Sequence, residues 1–148
     1  MIEQAIDICS DSLWAEKTHQ PQFWQEVYHT IYYLDFYLGT NPKKHQERFK
    51  CKENLKEKPE KTLSKAELLS YLEDVKEKSQ EIFERLTTIE IEGKNSFWWT
   101  GATLGHRLIY NLRHSQHHMG KINLFLRTNG LEPSKWVIES KALKKKTS

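Results

Sequence analysis

Cysteine is scarce in this 148-residue chain: Cys9 and Cys51 stand alone, with no C-x-x-C spacing. That excludes a disulfide scaffold and a thiolate zinc site, and it reads as a reduced, cytosolic setting with two free thiols. Glycine and proline are also few, six and four, which argues against a loop-rich or low-complexity chain. No apolar run approaches the ~18 residues that span a membrane. The first seven residues carry two acids and neither Lys nor Arg, unlike the start of a secretory signal. H-E-x-x-H, a P-loop and G-x-G-x-x-G are all missing. Ser115 has no G-x-S-x-G turn around it, so it is not expected to be a hydrolase nucleophile.

What is present is core-forming and helical. Aromatics make up 11% of the chain, with five Trp, enough to fill the single core that this length allows. The net charge of +3 is uneven. Residues 43–61 carry a net +4 and the stretch 141–146 four lysines, leaving the rest at −5. Basicity confined to a linker and a tail, without a helical stripe, reads as solvated surface and disfavours nucleic acid as a partner.

Four regions show helical periodicity. The first runs from Ile2 to Cys9, or on to Trp14. The second starts near Pro21, a residue at home in a first helical turn. It carries Phe23, Trp24, Val27, Ile31, Leu34 and Leu38, with Gly39 as its stop. The third opens on the capping-box pattern Ser64-Lys-Ala-Glu67 and extends to about Thr88. The fourth begins between Thr100 and Thr103 and ends at Asn129-Gly130. About 25 polar residues separate the second and third, far more than a usual bundle loop of about 2–8, which suggests a crossover along the bundle. The fold class is therefore all-α: a four-helix bundle with a long crossover between helices two and three and a short or truncated first helix. The bundle domain is expected over 1–138, with a basic, disordered tail over 139–148. Residues 89–99 read as an ordered loop anchored by Phe97-Trp98-Trp99, and Trp136 as a residue docked on the domain.

The fourth helix holds Arg113-His114-Ser115-Gln116-His117-His118. At about 100° and 1.5 Å per residue, His114 and His118 lie ~40° and ~6 Å apart. They can share one cation, whose bonds to imidazole nitrogen are about 2.0–2.1 Å long. His117 is turned ~100° from His118 and is read as a surface or hydrogen-bonding residue. His29, beside the apolar stripe of the second helix, would alone read as a core histidine. Facing the pair, it completes three ligands with open positions, the layout of a catalytic rather than a structural metal site. Tyr33 lies one turn after His29 and Tyr110 one turn before His114; each either packs as an aromatic or contacts a ligand at the site. Asp35 and Asn111 are candidates for orienting a ligand imidazole through its second nitrogen. His19, His45 and His106 are expected to be solvated.

His29 is followed by Tyr-Leu-Asp-Phe-Tyr-Leu. The fourth helix reads Asn-Leu-Arg-His-x-x-His-His-x-Gly-x-Ile-Asn-x-x-Leu-Arg-x-x-Gly. Together they resemble the DinB/YfiT-like superfamily of metal-binding four-helix bundles. The resemblance implies a divalent metal, zinc or nickel, held by His29, His114 and His118, and a long second connection. It also implies a fuller first helix than this chain offers, which raises the prospect of a partner chain over an exposed face, as in a homodimer. Where the family usually has Gly-Gln after the last histidine, this chain has Gly120-Lys121. Characterised relatives include transferases and isomerases using bacillithiol, mycothiol or glutathione. The expectation is a cytosolic thiol (S-)transferase for a small-molecule electrophile, with a low-molecular-weight thiol as cosubstrate. A metal-dependent hydrolase and a non-catalytic metal-binding bundle are the alternatives.

Overall fold

In a computed structural model, which describes residues 1–138, the described residues form six α-helices. They are α1 (Ile2–Ile8), α2 (Asp11–Trp14), α3 (Phe23–Leu38), α4 (Lys65–Arg85), α5 (Thr88–Glu92) and α6 (Leu104–Thr128). No strand occurs among the described residues; one isolated bridge, Lys94 to Thr103, joins the approach to α6. The expected tail, 139–148, lies outside the described residues.

The helix limits follow from their caps. Pro21 does not open α3: Gln22 caps it, in a reciprocal capping box with Gln25. At α4, Ser64 Oγ accepts from the Glu67 amide at 3.2 Å while Glu67 Oε2 accepts from the Ser64 amide at 2.8 Å, so two orphan donors are satisfied. The α6 box pairs Thr103 with His106. His106 Nδ1 accepts from the Thr103 amide at 3.3 Å, so His106, exposed as expected, also caps the helix. The turn into it needs glycine: Gly101 has φ +122°, and a Cβ there would lie 2.6 Å from His106 Cβ.

The helical region expected to continue to Thr88 stops at Arg85, and Thr87 starts α5 with its own box to Glu90. The loop expected over 89–99 is thus partly helical. Of its aromatic trio, Phe97 is fully buried and Trp98 is 81% exposed, so Phe97 is the anchor. Trp136, expected to dock, is 70% exposed.

α3 is the central element and packs against both α4 and α6. Phe23, Trp24, Val27, Tyr28 and Ile31 are buried from α3, Leu68 and Val75 from α4, Ile122 and Leu126 from α6, and Ala5 and Ile6 from α1. Between α3 and α4, Tyr28 meets Tyr71 and Asp35 meets Lys78, pairs that ascend together along both helices. Between α3 and α6 the order reverses, from Glu26 on His118 to Leu34 on Asn111.

The connection 39–64 contains one short 3-10 turn, Pro42–Lys44. Side chains on and just before α3 hold it by its main chain. Tyr28 Oη donates to the Cys51 carbonyl at 3.0 Å, Gln25 Nε2 to that of Glu57 at 3.1 Å, and Gln20 Nε2 to that of Leu55 at 3.2 Å.

Candidate metal centre

His29 sits in the middle of α3, and His114 and His118 one turn apart on α6. The antiparallel packing of the two helices brings the three rings together. Centroids lie 4.4 Å apart for His29–His118 and His114–His118, and 5.3 Å for His29–His114. One ring nitrogen from each lies within 4.8 Å of the others. Three nitrogens at about 2.1 Å from a tetrahedral ion are about 3.4 Å apart, so small side-chain adjustments close the set around one cation.

The second nitrogens decide how two of these rings present themselves. His118, 6% exposed, has Nδ1 at 2.6 Å from Glu26 Oε1, and Glu26 is equally buried. Burial pushes the Glu26 carboxyl up, but the His118 hydrogen bond and the His118 and Lys121 charges outweigh it and hold the group below its ordinary value. An ionised carboxylate only accepts, so His118 Nδ1 donates to it and Nε2 is the nitrogen left to face a cation. His29 Nδ1 donates to the Glu53 carbonyl at 2.8 Å, with the same consequence. Both are the outer hydrogen bonds that fix a ligating imidazole. His114 Nδ1 is buried without a hydrogen-bond partner.

Neutral rings are favoured at His29 and His114. Burial lowers the His29 pKa, against the pull of the Glu53 carbonyl. Burial lowers that of His114 to about 4, with the neighbouring histidines adding to the shift. Neutral imidazole is the form that binds metal.

Other candidates fall differently. Tyr33 packs on His29 at 4.6 Å and on His114 at 5.1 Å. Its phenol is pushed up to about 12, by burial first and then by Glu53, toward whose carboxylate it donates at 3.4 Å. Tyr110 packs on Tyr37 at 5.1 Å and lines a small depression with Arg113, His114 and His117. His117 is exposed, its ring edge-on to His118.

Asp35 and Asn111 do not reach the histidines. Asp35 accepts from Tyr71 and Lys78, and Asn111 Nδ2 donates to the Leu34 carbonyl at 3.0 Å. The orienting partners are instead Glu26 and the Glu53 main chain, which the sequence reading missed. Glu26 had a visible signal, an acid one turn before His29 inside an apolar run. A backbone carbonyl has none. His45, read as solvated, is half-buried between Tyr32 and Phe36.

Residues 1–122 match the DinB superfamily, a span that includes His29, His114 and His118. The chain belongs to the DinB superfamily. No curated protein and no solved structure matches it significantly. Among the described residues no helix is long and apolar enough to cross a membrane.

Proposed function

We propose that this DinB-superfamily protein binds one divalent cation, zinc or nickel, through His29, His114 and His118, and uses it as a thiol (S-)transferase on small electrophiles in the cytosol. The observation that carries the reading is the convergence of three ring nitrogens, two of them with their second nitrogen donating to a fixed acceptor. When bound, such a cation lowers the pKa of a coordinated thiol and so supplies a thiolate at neutral pH.

The residues of the chain supply the rest. Glu26 and the Glu53 carbonyl hold two rings in one tautomer. Tyr33 stays protonated and offers a hydroxyl beside the rings. The depression at Tyr110, Arg113, His114 and His117 gives a small molecule access, and Arg113 there suits the anionic groups of low-molecular-weight thiols. Hydrolysis would call for a base to take a proton from water. Glu26 is committed to His118 and Lys121, and Glu53 accepts from Tyr33, which favours the thiol reading. A homodimer is the assembly we favour, because Ile109 and Leu112 leave apolar side chains exposed on α6.

Elemental analysis of purified protein is the test. Near-stoichiometric zinc or nickel, absent from a His114→Ala/His118→Ala variant, is the expected result. No metal in the parent protein after reconstitution at neutral pH would refute the site. If metal binds, thiol consumption with an activated aryl halide is then measured for bacillithiol, mycothiol and glutathione. Activity with none of the three, alongside metal-dependent ester cleavage, would transfer the assignment to a hydrolase.

A further inference from the structure

A cavity of about 530 Å³ lies apart from the histidines, and none of the three lines it. Its origin is the short first helix. The start of α1 rests at the level of Leu72, Lys76, Ser115 and Met119. Beyond that point, among the described residues, α1 does not follow α4 and α6, and the open slot is lined by Leu38, Ile82, Leu86, Leu104 and Leu108 together with charged side chains that include Lys44, Lys78, Glu81 and Arg85. Arg107 also lines it.

Arg107 is an unusual residue to find there. It is 7% exposed, its guanidinium lies 4.6 Å over the Phe97 ring, and its Nε is buried with no acceptor. Among the described residues its side chain has neither an ion pair nor a hydrogen bond. Burial pushes its pKa down, and no neighbouring acid opposes that shift. The acids around the cavity are mostly engaged: Asp35 by Tyr71 and Lys78, Glu90 by the Thr87 cap. A buried guanidinium without a counter-charge is costly, and native structures pair such groups. A second unpartnered buried nitrogen, His45 Nε2, belongs to a residue lining the same cavity.

We propose that this cavity binds a small molecule bearing one carboxylate on an apolar body. The carboxylate accepts from Arg107, whose planar fork matches it in two bonds, and from His45. The apolar body lies against the leucines and Ile82. Neither the metal nor the transfer reaction is needed for this binding.

Calorimetric titration of the full chain with sodium octanoate, octanol and inorganic phosphate tests the proposal. Octanoate is expected to bind at one saturable site. Arg107→Met should weaken it at least tenfold, and octanol should bind the parent protein at least tenfold more weakly. Leu108→Trp, which fills the slot and leaves the charge in place, should abolish binding and guards against a misfolded Arg107 variant. His114→Ala should bind octanoate as the parent does. The proposal is overturned if octanoate shows no saturable binding, or if either cavity variant binds it like the parent. It is equally overturned if octanol matches octanoate, if phosphate binds where octanoate does not, or if His114→Ala loses the binding, which would place the ligand at the histidines.

Discussion

Replacing Glu26 by Gln isolates the outer hydrogen bond from the ligands themselves. The native contact is 2.6 Å long, and both residues are buried. The amide keeps the volume and an acceptor but removes the charge that holds His118 with Nδ1 as its donor. Loss of such a partner typically costs about 10–100-fold in metal affinity, or about 1.4–2.8 kcal/mol. Competition against a chromophoric chelator at neutral pH reads this directly, with circular dichroism confirming the fold. Asn111→Ala is the matched comparison. It removes a bond to the Leu34 carbonyl, costing about 1 kcal/mol of stability, and should leave metal affinity within about twofold. In a double-mutant cycle, Glu26→Gln should add almost nothing to the loss already caused by His118→Ala. Equal affinity in Glu26→Gln and the parent, or additive losses in the cycle, would refute the reasoning.

Three further outcomes are expected. Metal-free protein should lose stability on acidification: His29 and His114 have folded-state pKa values below the ordinary 6.5, about 4 for His114. The unfolded chain then binds more protons, so the stabilisation is complete above pH 6.5 and is lost as pH falls toward 4. Urea midpoints measured across that range check it, and a midpoint rising on acidification would contradict it. Gly101→Ala should lower Tm with a cost of about 1–3 kcal/mol, because φ is +122° and the new Cβ would meet His106. Trp24→Ala, at a fully buried site, should cost about 3–5 kcal/mol by chemical denaturation.

The helices were legible where the pattern is local. Ser64-x-x-Glu67 opened α4 as expected, and the stripe from Phe23 to Leu38 gave α3 to within two residues of its start. Helix α5 was missed although Thr87-x-x-Glu90 is also a capping box, because five residues are too few to show a period. His29, His114 and His118 could be grouped from face and spacing, and the structure brings them together. Their outer partners could not, since Glu26 meets a residue 92 positions away. Asp35 and Asn111 were plausible on chemistry and misplaced by rotation, because one faces α4 and the other spans to the α3 backbone.

The way α3 grips the 39–64 connection has an evolutionary consequence. The grips from Gln20, Gln25 and Tyr28, and the one at His29, are on carbonyls that any amino acid would supply: those of Cys51, Glu53, Leu55 and Glu57. Side-chain identity at Lys50, Lys52, Lys56 and Lys58 is thereby decoupled from the path of the chain. This basic stretch is free to drift in charge while His29 keeps its acceptor.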